Sequence, residues 1–267
     1  MKFLINLSVD SFCFGNMLPV NYQYELSSFI YRTLTRSNYT YSEWLHQNGF
    51  VANSKQFRLF SFSNLLLPNF KIVADRLSIN SLKCGLIISF LPEKNTHEFV
   101  RGLFKDQQFS IGDQKSKVAF VVSEIEMLAE PDFTVDHQFV TLSPVCITRK
   151  ETNSNRIIYE IPESDYAKKA LLMNLKNKYA AFYEKGFDSN EQFDLKLLSK
   201  PHSKLIGIKT NTAQQTRVKG YHFNFALQAD PAILHTMYHA GLGEKNAIGF
   251  GHIETKENMK RIRERLK

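Results

Sequence analysis

The sequence predicts an α+β fold: two tandem β-α-β-β-α-β units, the second closing on a glycine-rich loop, with a short basic tail. Three observations predict it. Apolar residues alternate with polar ones at the start of the chain and in several later stretches, the pattern of strands with one buried face. Segments of helical period separate those stretches, in an order that occurs twice. The 267 residues, 43% hydrophobic and 22% charged, have ordinary globular composition and suffice for one large domain or two small ones. Disorder throughout, collagen-like repetition and a disulfide-dense scaffold are excluded, and no run approaches the length of a membrane-spanning helix.

Each element follows in order. Phe3, Ile5, Leu7 and Val9 alternate, so 2–10 reads as a strand. Asn6, Ser8 and Asp10 break its apolar run too early for a signal peptide, and no small-residue cleavage site follows. Gly15 and Pro19 lead into a helix near 21–36 with Tyr24, Phe29, Ile30 and Leu34 as its apolar stripe. A short helical segment, 42–46, starts at a Ser42 cap and stops at Asn48-Gly49. Strands near 57–62 and 84–91, a helix near 93–105 after Pro92, and a long strand over 117–128 complete the first unit. The boundary falls at Glu130-Pro131-Asp132, giving an N-terminal domain over 1–131. The second domain, 132–255, has strands over 139–148 and 156–161 and a helix near 163–183 carrying Tyr166, Ala170, Met173 and Tyr179. Strands near 191–199 and 220–228, a helix near 230–240 and a last strand near 249–255 follow. This order is that of the split ferredoxin-like (RRM-like) unit. The tail, 256–267, reads as a frayed surface helix or an extension.

Charge narrows the partners. Thirty-four Lys and Arg against 26 Asp and Glu give +8, which favours a polyanion such as nucleic acid over neutral ligands. Residues 195–220 hold Lys196, Lys200, Lys204, Lys209, Arg217 and Lys219 with no acid, around a polar tip at Thr210–Thr216. Cys13, Cys84 and Cys146 are too few and too scattered for a disulfide framework or a Cys-based zinc site, which fits a reducing cytoplasm.

The most specific local feature is the loop Gly241-Leu242-Gly243-Glu244-Lys245-Asn246-Ala247-Ile248-Gly249-Phe250-Gly251. It follows a helix and precedes a strand, the reverse of a dinucleotide-binding fingerprint, and no Gly-Lys-Ser/Thr makes it a Walker loop. Exposed N–H groups beside a lysine can hold phosphate, and glycines can equally serve close packing. The residues alone leave both readings open.

At this loop the chain resembles the CRISPR-associated endoribonucleases that cut CRISPR precursor RNA at each repeat, the Cas-six family of the RAMP superfamily. Residues 241–251 match that family's form G-h-G-x-x-x-x-x-G-h-G at every fixed position. The opening strand Met1–Val9, the stretch Leu18-Pro19-Val20-Asn21-Tyr22-Gln23-Tyr24 leading to Phe29-Ile30-Tyr31, and Val140-Thr141-Leu142-Ser143-Pro144 agree as well. The resemblance implies two ferredoxin-like domains and metal-independent RNA cleavage by the substrate's own 2′-OH, with no cofactor. It implies CRISPR repeat RNA as partner, with other CRISPR-associated effector subunits as further candidates, no membrane, and a monomer or homodimer.

Cleavage of that kind needs a proton acceptor, a proton donor and a cation for the phosphorane. On the residues alone, His46 reads as a surface histidine at a helix C-terminus, stabilised there as a cation; the resemblance makes it the catalytic histidine. It likewise makes Tyr31 an assisting group and puts the cation near the strand 57–62, with Lys55 preferred and Arg58 assigned to phosphate. It implies RNA contacts at Lys204, Lys209, Arg217 and Lys219, and at Gly241, Gly243, Lys245, Asn246, Gly249 and Gly251. A non-catalytic RAMP subunit that only binds RNA is the alternative; it has no need of the titratable His46. His235 and His239 have zinc spacing, but no Glu follows His235 in the metalloprotease pattern and only His252 offers a third ligand nearby. A metal site is not expected.

Overall fold

The computed structural model describes residues 1–152, 154, 156–187, 193–210 and 212–266. The expected start of a strand at 191, Asn211 of the polar tip and the final Lys267 lie outside them.

The first lobe runs β1 (Lys2–Asp10), α1 (Ser11–Phe14), β2 (Met17–Pro19), α2 (Gln23–Ser37), α3 (Tyr39–Gln47), β3 (Phe50–Ala52), β4 (Lys55–Phe57) and β5 (Phe60–Phe62). It continues through β6 (Phe70–Val73), β7 (Arg76–Ile79), β8 (Lys83–Phe90), α4 (Glu93–Lys105), β9 (Gln108–Gly112) and β10 (Lys117–Met127). The main sheet has the order β5-β8-β1-β10-β9, antiparallel throughout. Phe3, Ile5 and Leu7 of β1 pack with Phe29, Ile30 and Phe99 of α2 and α4 in one core. The sequence expectation of a single buried face is corrected here: Leu4, on the opposite face, is also fully buried.

The second lobe runs β11 (Gln138–Thr141), β12 (Thr148–Lys150), β13 (Ile157–Tyr159), α5 (Asp165–Tyr183), β14 (Asp194–Leu197), β15 (His202–Ile208), β16 (Thr216–His222) and β17 (Asn224–Gln228). Then come α6 (Pro231–Ala240), a 3-10 turn (Asn246–Ile248), β18 (Ile253–Thr255) and α7 (Lys256–Arg265). Its sheet order is β14-β17-β11-β18. The helix starts are capped as their sequences dictate: Ser164 accepts from the Ala167 N–H and Asp230 from the Ala232 N–H, with Pro231 opening α6. The result is a mixed α/β fold built on two main antiparallel sheets, with the small sheet β2-β7-β6 and the hairpins β3–β4, β12–β13 and β15–β16 beside them.

Several expected strands are broken. The stretch 57–62 divides at Leu59, whose φ is +52°, into β4 and β5. The stretch 139–148 divides into β11 and β12, and 220–228 into the ends of β16 and β17. The hairpin β6–β7 and the strands β9 and β15 add to the expected set. The basic tail is corrected too. Met259, Ile262 and Leu266 recur at helical spacing and pack on Leu4, Ile87 and Leu142, so α7 is part of the core rather than a frayed extension.

Polar groups tie the lobes together as well. The Lys2 ammonium, on β1, lies 3.2 Å from the Glu254 carboxylate, both side chains fully buried, and donates to the Ile253 carbonyl at 2.7 Å. Tyr238 donates to the same carboxylate at 2.8 Å. Burial pulls the Lys2 ammonium down to about 8, with Glu254 opposing. Among the described residues no helix is long and apolar enough to cross a membrane.

Candidate active site

The first cluster forms where α3 ends. Asn38 caps α3, its side chain accepting from the Tyr41 N–H at 3.0 Å. Tyr41, Ser42 and Leu45 face inward, which leaves His46 exposed on the last turn. Gly49 then turns the chain at φ +60°, where a Cβ would meet the Phe57 carbonyl oxygen at 2.5 Å. The returning strand delivers Arg58, whose guanidinium donates to the His46 carbonyl and, at 3.5 Å, to the Asn48 carbonyl. It thereby satisfies the unpaired end of α3 and complements its dipole. Tyr31, from α2, meets His46 edge-on, with ring centroids 5.2 Å apart and planes at 82°. Burial pushes the Tyr31 phenol up to about 12, with Arg58 pulling it down. At neutral pH Tyr31 is therefore a hydroxyl donor or a positioning group.

Tyr31, His46 and Arg58 thus come together, although up to 27 residues separate them in the chain. Lys55 stands apart from this contact set, exposed on the hairpin β3–β4. That hairpin leans on the second lobe: Asn53 donates to the Asn177 side chain at 2.7 Å, and Phe50 packs edge-on against Phe182. Lys55 and Arg58 both line a cleft of about 670 Å³ between the lobes, together with Lys150, Lys178, Glu244 and Lys245. Four cations, Lys55, Arg58, Lys150 and Lys245, and the buried Lys178 stand around one carboxylate there, and that carboxylate is engaged by the Thr148 hydroxyl at 2.8 Å.

The glycine-rich loop forms one wall of this cleft, and its glycines serve packing. Gly241, Gly243, Gly249 and Gly251 are buried and have φ between +68° and +95°. A Cβ at Gly251 would lie 1.9 Å from the Leu242 carbonyl oxygen, and one at Gly249 would lie 2.8 Å from the Gln23 Cβ of the other lobe. Asn246 is buried, and its amide donates to the Leu242 and Phe250 carbonyls at 3.3 and 3.0 Å. Of the six loop positions expected to touch RNA, Lys245 is the one with an exposed side chain.

Sequence reasoning missed Lys178. This fully buried lysine of α5 donates to the Gly241 and Gly243 carbonyls at 2.7 and 2.9 Å and to the Asn246 Oδ1 at 2.7 Å. Burial pulls its ammonium down to about 7, with Glu244 opposing. The available signal was helical phase: Leu171, Leu175 and Lys178 share one stripe of α5.

The basic hairpin is β15–β16, and its register divides the expected contacts. Lys204 pairs with Gly220 on the face of the buried Ile206 and Val218, whereas Lys219 and Arg217 pair with Leu205 and Gly207 on the opposite face. Arg217 lies beside a second cavity of about 370 Å³ that includes Asn21 and Arg76 of the first lobe. Lys209 donates to Gln214 at 2.6 Å within the hairpin's own tip. His252 is fully buried, its Nδ1 2.8 Å from the Ser61 hydroxyl.

Comparison with known proteins gives the same family for both halves of the chain. Residues 17–126 match "CRISPR-associated protein Cas6, N-terminal", and residues 128–255 match "CRISPR associated protein Cas6, C-terminal". CRISPR-associated endoribonuclease Cas6 1 of Methanocaldococcus jannaschii is 29% identical over 270 residues, covering 100% of this chain and 97% of that one. CRISPR-associated endoribonuclease Cas6 of Pyrococcus furiosus is 26% identical, covering 97% and 91%. A solved structure named CRISPR associated protein Cas6 superposes with a TM-score of 0.74 at 27% identity, over 96% of this chain and 98% of that one. With both lobes matched and full-length relatives that carry the same name, the chain belongs to the Cas6 family of CRISPR-associated endoribonucleases.

Proposed function

We propose that this protein binds CRISPR repeat RNA in the interlobe cleft and cuts it once per repeat without a metal. The 2′-OH attacks the adjacent phosphate, leaving a 5′-hydroxyl and a 2′,3′-cyclic phosphate, or a 3′-phosphate once water opens the ring. His46 moves the proton, as base for the 2′-OH or as acid for the departing 5′-oxygen. Tyr31 orients it and donates a hydrogen bond. Between the two candidate cations, Lys55 and Arg58, contact with the His46 carbonyl favours Arg58 as the one beside the phosphorane, with Lys55 reaching in from the cleft rim. Lys245, Arg217 and Lys219 extend the cationic surface along the strand. We also infer that each lobe is a ferredoxin-like unit; its strand order, in which the first strand lies between the third and the fourth, supports this.

The observation that carries the proposal is the edge contact of Tyr31 with the exposed His46, at a helix end held by Arg58 beside a basic cleft. The test is cleavage of repeat RNA in EDTA. Wild type should cut it, and should leave uncut a substrate with a single 2′-deoxy nucleotide before the scissile phosphate. His46→Ala should lose roughly 10²–10⁴-fold in rate while retaining RNA affinity. Full cutting of the deoxy substrate would refute 2′-OH attack, and unchanged cleavage by His46→Ala would remove His46 from the mechanism. Arg58→Ala and Lys55→Ala, measured side by side, rank the two cations.

A further inference from the structure

His235 and His239, one helical turn apart on α6, have ring centroids 4.7 Å apart. His252, the third ligand the sequence suggested, lies outside this cluster, with its Nδ1 on the Ser61 hydroxyl. The fold supplies a different one. Glu130, at the connection between the lobes, sets one carboxylate oxygen 3.5 Å from His235 Nε2 and the other 3.2 Å from His239 Nε2. The three ligand atoms all lie within 4.8 Å of one another.

We propose that Glu130, His235 and His239 bind a divalent transition-metal ion of the zinc class, which clamps the interlobe connection onto α6. Around a tetrahedral zinc with ligands at roughly 2.0–2.1 Å, neighbouring ligand atoms stand about 3.3 Å apart. The two Glu–His distances bracket that value, one at each carboxylate oxygen, so coordination asks the carboxylate to turn one oxygen toward both imidazoles and the ligand atoms, now within 4.8 Å of one another, to close in. Two imidazoles and one carboxylate form a recurrent zinc donor set. The site is also graded in access. The His239 side chain is 3% exposed, His235 33% and Glu130 45%, so an ion enters from the Glu130 side, where water completes the fourth position. None of the three residues lines the 670 Å³ cleft, so the ion holds structure and takes no part in the cleavage proposed above.

The test uses the full chain, stripped with EDTA and dialysed free of chelator, then titrated with Co²⁺ and with Zn²⁺. One Co²⁺ per chain with the visible absorption of a tetrahedral site, displaced by Zn²⁺, is expected. At about a hundredfold excess over Kd, Zn²⁺ should raise Tm by roughly 5 °C. Glu130→Gln and His235→Ala alter partly exposed side chains and should keep the native circular dichroism spectrum while losing the Co²⁺ absorption and at least tenfold in affinity. Absence of stoichiometric Co²⁺ uptake by the wild type, or equal uptake by both variants, overturns the proposal. RNA cleavage in EDTA is read separately, so the failure of either reading is distinguishable from that of the other.

Discussion

Gly251→Ala tests whether the glycine-rich loop is built for packing. Gly251 has φ +68°, and an added Cβ would lie 1.9 Å from the Leu242 carbonyl oxygen and 2.6 Å from the Asn246 amide nitrogen. Gly15 is the natural control: its φ is +84°, but a Cβ there meets nothing within 4 Å. Both substitutions carry a positive-φ backbone penalty, about 1–2 kcal/mol in the left-handed region and about 1–3 kcal/mol at Gly15, whose ψ of −162° lies where essentially only glycine sits. Only Gly251→Ala must also displace backbone. That movement breaks the Leu242 N–H bond to the Gly251 carbonyl at 2.8 Å and the Gly251 N–H bond to the Pro144 carbonyl at 2.9 Å. Two buried bonds at about 1–3 kcal/mol each bring the expected loss to about 3–8 kcal/mol, a large share of a domain's stability. Urea unfolding followed by circular dichroism measures both variants, and soluble yield at low temperature supplies a second readout if Gly251→Ala fails to accumulate. Gly251→Ala within 1 kcal/mol of Gly15→Ala, on a folded protein that has lost RNA affinity, would refute the packing account and return the glycine to RNA contact.

Burial holds Lys178 near 7, below its ordinary 10.5, so the unfolded chain keeps that proton to higher pH than the folded one. The penalty for burying the ammonium is full below about 7 and disappears as pH rises toward 10.5; Lys178→Met should therefore flatten the rise of unfolding free energy between these values by up to ~1.4 kcal/mol per pH unit. Parallel stability–pH curves for the two proteins would contradict this. Ile262→Ala removes a side chain packed on Leu4 and Ile87 and should cost about 2–5 kcal/mol in urea unfolding; a loss below ~0.5 kcal/mol would return α7 to the status of a loose tail. Arg217→Ala with Lys219→Ala should lower the slope of log affinity for repeat RNA against log salt by roughly 1.4–1.8, whereas Lys204→Ala, on the other face of the hairpin, should leave it unchanged. An equal effect from Lys204 would show that RNA wraps both faces.

Elements whose periodicity extends over many residues were legible in the sequence: β1, β8, β10, α2, α4 and α5. The short strand β3 was not, because alternation cannot be read over so short a span, and the expected strand over 57–62 hid the division into β4 and β5, because the break at Leu59 is a backbone event without a glycine to mark it. The tail was misjudged by composition: its Lys and Arg outnumber Met259, Ile262 and Leu266, yet the spacing of those three decides which way α7 faces. At the site, Tyr31 and His46 were legible through family resemblance, but Arg58 as the cap of α3 was not, since that role depends on a turn at Gly49 that brings 58 back to 46. Lys178 was hidden by its charge, and Glu130 by its position in what read as a boundary between units.

The first strand and the β18–α7 segment finish one another. Leu4 and Ile87 belong to the first lobe's sheet, yet their cover comes from Leu142 and from α7, which follows both sheets in the chain, and the partner of Lys2 is Glu254. While the chain is still emerging from the ribosome, that sheet face is bare and oily, and a lysine bound for the interior has no counterion. Synthesis of residues 254–266 is the event that covers this face, so anything that delays or clips α7 leaves Leu4 and Ile87 open to chaperones and to self-association.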